Sequence, residues 1–275
     1  MSEQDTLSPP QVITSGPLRS SITIELHTHL AIRTWRGRQA DPQENVHGII
    51  GMPRFLSIMN ILRMDSLADN PYADLWMLRL EERLLAARDE MNVLIDSMET
   101  IFSQLPEMMT IEGCLSVQPV RFPVFASSQL GFIAVYLLTD FDKLMRNLML
   151  AHHMALINRT EQNDLRQHGG NLIRSILVLA QKYRRIPVTR QDIRGGNARA
   201  QAAEEQAGRV PEDIFDGTCR SAYAPPLRQV IDEAPAAKEP ESSGGAPASP
   251  DNSVTVLTVS SIAATEAEDD DKSQI

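Results

Sequence analysis

The sequence predicts a mainly α-helical protein with a short N-terminal β element, and three observations carry that prediction. Apolar residues recur at alternating three- and four-residue steps from Met77 to Leu105, and again from Leu130 to Ala155. A period-two alternation occupies residues 21–35, ahead of both. Steps of three and four place side chains along one stripe of a helix, whereas a period of two places them on one face of a strand.

In the stretch SITIELHTHLAIRTW, Ile22, Ile24, Leu26, Leu30 and Ile32 share one face, and Thr23, Glu25, His27, His29 and Arg33 share the other. A half-buried strand is predicted there, followed by a polar loop with Gly37, Asp41 and Pro42. Met52-Pro53-Arg54 opens a helix to about Leu67, because proline at a first helical position has no N–H to leave unpaired. Asn70-Pro71 repeats the start signal with asparagine as N-cap. The helix that follows, to about Leu105, carries Met77, Leu80, Leu84, Ala87, Met91, Leu94, Met98 and Ile101 as a coiled-coil seam, and Pro106 stops it.

Residues 106–126 read as loop or edge strand, since Pro119 and Pro123 withhold ladder donors. Ser127 or Ser128 caps a second long helix to about Asn158, apolar on nearly every side in its first half and therefore the buried central one. A third long helix spans about 163–185 and ends in the basic turn KYRR, where cations suit the negative end of the helix dipole. A short surface helix is expected between Gly196 and Gln206. The domain reading is a disordered arm over 1–18, a helical core over 19–210, an extended segment over 211–233 and a disordered acidic tail over 234–275.

The chain has 275 residues and a net charge of −10, but the charge is unevenly placed. Residues 19–199 hold 21 Lys and Arg against 19 Asp and Glu, while residues 200–275 hold 5 against 15. The acidity belongs to the tail, and the body is slightly basic. Two cysteines, Cys114 and Cys219, stand far apart, so neither a disulfide framework nor a zinc finger is built from them, and a reducing cytoplasm is expected. The longest apolar run, Leu130 to Leu138, is about half of the ~20 residues a membrane span needs, so no membrane partner is expected.

No phosphate-loop, dinucleotide-binding, zinc-protease or nucleophile-elbow motif occurs, so no enzyme, no catalytic residue and no cofactor are expected. His27 and His29 point to one face of the expected strand, yet no further ligands follow at metal-site spacing. His152 and His153, adjacent on a helix, diverge. Asp140 and Asp142 also diverge, and one of them is expected to pair with Lys143 or Arg146. Gly195-Gly196 beside Arg190–Arg199 reads as a hinge or cap, with an anion cradle as the alternative. The basic residues say more. Arg33, Arg36 and Arg38 extend the polar face of the strand, and Lys182, Arg184, Arg185, Arg190, Arg194 and Arg199 form a second patch opposed along the chain only by Asp192. Either set suits phosphates, with a solvated basic surface as the plainer reading.

The blocks LRSSITIELHTHLAIRTWRGR, HGIIGMPRFLSIMNILRMDSLADNPYADLWMLRLEERLLAARDEM and SQLGFIAVYLLTDFDKLMRNLMLAHHMALI closely resemble the integrating conjugative element protein family grouped with AcaB-like transcriptional regulators. The resemblance covers roughly residues 18–230. It implies a cytoplasmic DNA-binding regulator of conjugative-transfer genes with a ribbon–helix–helix arrangement, in which strands of two subunits pair and enter the major groove. On that mapping Thr23, Glu25, His27, His29 and Arg33 face the groove, Arg36 and Arg38 add phosphate contacts, and the heptad seam extends a homodimer interface. The connection from Arg33 to Met52 is longer than such a fold usually has, and Glu25 would meet a negatively charged groove. The expectation is therefore a DNA-binding regulator or accessory protein of an integrated conjugative element. The alternative is a non-catalytic helical scaffold that binds other proteins through the heptad helix or the acidic tail.

Overall fold

The computed structural model describes residues 22–43, 46–106, 108–109 and 113–227; the arm 1–18 and tail 234–275 read from the sequence lie outside the described residues. Those residues form eight helices and a two-stranded antiparallel sheet, so the chain is mainly helical with a short β element near its N-terminus. Strand β1 (Ile22–Leu26) pairs with β2 (Val120–Val124), Ile22 opposite Val124 and Leu26 opposite Val120. Pro123 is accommodated because both strands of a two-stranded sheet are edges.

The N-terminal strand is shorter than its alternation suggests. It ends at Leu26, and His29–Arg36 is a helix, α1, capped by the Thr28 hydroxyl, which accepts from the Ala31 N–H. The buried residues Ala31 and Trp35 stand four apart, on the inward side of a helix, while Leu30 is exposed. Leu30 and Ile32 merely prolonged the period of two. The ribbon expectation changes with it, because β1 is paired with β2 of its own chain and α1 stands between the strand and the next helix.

Helix α2 (Met52–Leu67) has proline in its first turn as expected. In α3 (Pro71–Phe102) the Asn70 side chain accepts from the Tyr72 and Ala73 N–H groups. Its seam from Met77 to Met98 is buried, and it packs most extensively on α4 (Gln129–His153), then on α5 (Arg159–Gln181) and α2. The seam closes within one chain and is not open to serve as a subunit interface. Helix α4 also meets α1 and β1, so it is the central element, buried along most of its length. It ends at His153 rather than near Asn158; Ala155 adopts φ 55°, and Asn158 instead caps α5 in a capping box with Glu161. Gly169 lets α5 approach α4 closely, since a Cβ there would stand 2.8 Å from the Leu144 side chain.

The short helices α6 (Arg190–Arg194), α7 (Ala198–Ala207) and α8 (Glu212–Phe215) cover the start of α3 over a second apolar cluster around Tyr72, Ile186, Val188 and Ile214. Part of the segment read as extended beyond residue 210 is thus helical. This layer is pinned by charge. Asp74, fully buried in the first turn of α3, accepts from Arg190 Nη2 at 2.6 Å, Arg220 Nε at 2.9 Å and the Ser66 hydroxyl. Arg190 Nη1 also reaches Asp69 Oδ1 at 2.8 Å.

Two outcomes follow from this packing. Leu84→Ala should lower stability by about 2–5 kcal/mol, because a cavity opens in a closed core. A molar mass by light scattering equal to that of the parent chain would confirm that the seam is internal, whereas loss of an oligomer on this substitution would contradict it. Asp74→Asn should cost about 3–5 kcal/mol, read like the first loss from denaturation, since two guanidinium groups lose an ionised partner.

Candidate nucleic-acid interface

The β1–α1 junction is held by one carboxylate. Asp142 on α4 is 2% exposed and accepts from the Thr28 N–H at 2.8 Å, the Thr28 hydroxyl at 2.8 Å and the His27 N–H at 3.1 Å. Arg146 Nε lies 3.2 Å from its other oxygen, close enough for ion pairing but not aligned as a hydrogen bond. Asp142 thereby satisfies the turn before α1 and fixes Thr28 as the cap, so the helix direction is set from the middle of the molecule. His29, Arg33 and Arg36 then fall four and three residues apart on α1, and all three are exposed.

The far end of α1 is fixed by backbone contact. Gly37 takes φ +82°, and a Cβ on it would stand 2.5 Å from the Gly51 nitrogen, so both the positive φ and the close approach require glycine. Residues 38–43 and 46–49 run side by side as the two arms of a loop, Arg38 and Ile49 exchanging backbone hydrogen bonds of 2.8 Å and Asp41 and Val46 of 2.9 Å. Arg38 Nε and Nη2 both donate to the His47 carbonyl, at 3.1 and 2.9 Å. The Gln181 side chain ties this loop to α5, accepting from the Ile50 N–H and donating to the Gly48 carbonyl.

Between α1, this loop and α5 lies a cleft of about 340 Å³. Arg33 and Arg38 line it from one side, Arg166 and Arg174 of α5 from the other. None of the four has a carboxylate partner among the described residues. Arg174 donates to the Asn171 side chain at 2.6 Å, and its pKa is lowered, first by burial and then by repulsion from Arg38 and Arg33. Like charges gathered this way repel one another and attract an anion.

The residues read from the sequence divide into several groups. Arg33 and Arg38 meet at the cleft, with Arg36 and His29 exposed on the same helix. Thr23 is exposed on β1, but Glu25 is engaged by Arg121 across the sheet at 2.6 Å. His27 is half-buried, and its Nδ1 accepts from the Ser116 N–H at 3.1 Å, so its ring is occupied within the chain. Arg166 and Arg174 escaped sequence reading because both sit inside a helix, more than 130 positions after Arg33, with no local motif. Two helical glycines four and five residues before Arg174, at 170 and 169, are a weak local sign that α5 needs room there.

In the second basic patch only Arg190 is buried, but Arg185, Arg190 and Arg194 are engaged within the chain. Arg185 forms a paired contact with Asp65, Nη2 to Oδ1 at 2.6 Å and Nε to Oδ2 at 2.9 Å, and Tyr183 joins the same carboxylate. Arg190 is buried against Asp69 and Asp74. Arg194 lies over the Phe215 ring at 5.6 Å. Lys182, Arg184 and Arg199 are exposed. Asp192, the only acid near the patch in sequence, serves the cap of α6; its pKa is lowered chiefly by the Thr189 N–H, with Asn197 and the Thr189 hydroxyl adding to it. Gly195 ends α6 and makes no cradle facing the cleft. Among the described residues no three His, Cys, Asp or Glu side chains group as metal ligands, and no helix is long and apolar enough to cross a membrane.

Asp142→Ala should leave the Thr28 and His27 N–H groups without their acceptor and cost about 1–3 kcal/mol for each buried group left unpaired. Faster amide exchange at Thr28 and in the first turn of α1, with α3 and α5 unaffected, is the expected signature.

The family model described as transcriptional regulator AcaB matches residues 14–228. No curated protein matches the chain. A crystal structure of AcaB from uropathogenic E. coli is similar at 10% identity and a TM-score of 0.46, over 72% of this chain and 95% of that one, too loose a superposition to carry geometry across. With more than three quarters of its length inside the family match, the chain belongs to the AcaB family of transcriptional regulators.

Proposed function

We propose that this regulator acts by binding double-stranded DNA through the face of α1 and the loop after it, with Arg33, Arg36 and Arg38 contacting phosphates and His29 and Thr23 nearest the bases. The observation that carries the reading is the set of exposed arginines on α1 with no carboxylate to neutralise them among the described residues, held rigid by Asp142 at one end and Gly37 at the other. A helix fixed at both ends loses little further entropy when it docks on a phosphate backbone. The genes controlled are those of an integrated conjugative element, the context that the sequence blocks resemble, and the acting unit is a homodimer formed through a surface other than the buried seam.

A second reading has one observation in its favour. Phe125 is 84% exposed beside an apolar groove that also includes Ile22, Pro123 and Phe132, which suits a protein partner and hence a scaffold role.

An electrophoretic-shift titration with promoter duplexes of the same element, at several salt concentrations, separates the two. Affinity should fall steeply with salt, and the double variant Arg33→Ala with Arg36→Ala should flatten the log–log salt dependence by about two charges per protomer, a slope change of about 3.6 for the homodimer. A chain that retains no duplex even at low salt would favour the scaffold.

A further inference from the structure

We propose that the cleft between α1 and α5 is a binding site for a small phosphate-bearing ligand of nucleotide size, sharing Arg33 and Arg38 with the proposed DNA face and adding Arg166 and Arg174 from α5. Its volume, about 340 Å³, falls in the range of sites that enclose small molecules. Its walls and its floor are chemically different. Arg33, Arg38, Arg166 and Arg174 stand on the walls, while Leu30, Phe141 and Leu177 make an apolar floor. A phosphate has more acceptor oxygens than a carboxylate and can accept from several guanidinium forks at once. The floor suits a flat or apolar remainder of the same molecule.

The arginines are placed rather than merely exposed. Arg38 spends two of its donors on the His47 carbonyl, and Arg174 is braced by Asn171, so both guanidinium groups are oriented before any ligand arrives. Gathering Arg33, Arg38 and Arg174 within mutual repulsion opposes folding, and an anion between them relieves it. Duplex DNA presents its phosphates on a convex surface and has no group to cover an apolar floor in a recess. A free phosphate ester satisfies both halves of the cleft. Arg166 and Arg174 belong to the cleft alone, so variants there separate ligand binding from the DNA reading.

Calorimetric titration of the full chain with pyrophosphate, ADP and adenosine, at ionic strength matched with chloride, tests it. Saturable binding of pyrophosphate and ADP but not of adenosine is expected. Arg166→Gln with Arg174→Gln should weaken ADP by about tenfold or more, the scale of losing charge-assisted hydrogen bonds, whereas Arg199→Gln with Arg209→Gln, which removes the same charge outside the cleft, should not. Should the double variant fail to fold, Arg166→Gln alone serves the same purpose. The proposal is overturned if neither phosphate probe saturates, or if ADP binds the cleft variants as tightly as the parent chain. It is also overturned if the cleft variants lose duplex DNA while the free probes never saturate, since the arginines would then be DNA contacts. Binding of ADP by a chain that retains no duplex would uphold the cleft and sink the DNA reading instead.

Discussion

The arrangement depends on a carboxylate in the middle of the central helix. Asp142 is nearly inaccessible and accepts from both backbone and side chain of Thr28, so the β1–α1 turn is fixed relative to α4 and not to the solvent-facing surface. A buried carboxylate is tolerable only when its oxygens are satisfied, and here two N–H groups, a hydroxyl and the nearby Arg146 do this. Because α4 also carries the packing of α3 and α5, the exposed arginines of α1 and the α5 arginines across the cleft are referred to one rigid element.

A second charged cluster does different work. Asp65, Asp69 and Asp74, near the α2–α3 junction, hold Arg185, Arg190 and Arg220 and so clamp the C-terminal helices onto the core. In a buried setting such pairs cost desolvation that their attraction roughly offsets, so their value lies in fixing where the segment docks. The two sets of arginines are therefore distinguished by partners: among the described residues those at the cleft have no carboxylate, and each at the clasp has at least one.

This distinction explains what the sequence could and could not reveal. The long helices were legible because seam, caps and proline stops are all local: Asn70-Pro71 for α3 and Ser128 for α4 act within a few residues of where they are written. Helix α1 was hidden because Leu30 and Ile32 continued the strand period, although Thr28 followed by Ala31 and Trp35 is a cap and an inward face for a reader who breaks the pattern there. The second basic patch was misjudged for another reason: the acids that neutralise Arg185 and Arg190 lie 116 to 121 residues earlier, out of reach of any count along the chain. The same distance concealed Arg166 and Arg174. Whether the heptad seam closed within or between chains was open from spacing alone, and the burial of all its residues from Met77 to Met98 answered it.

The central claim is that α1, set by Asp142, presents the surface through which this regulator meets DNA. Hydrogen–deuterium exchange of the full chain, with and without a promoter duplex of its own element, tests this most directly. Protection should appear in α1 and in the loop of residues 38–49, with residues 184–199 unchanged. Protection confined to residues 184–199, or absent from α1 in a complex that demonstrably forms, would contradict it.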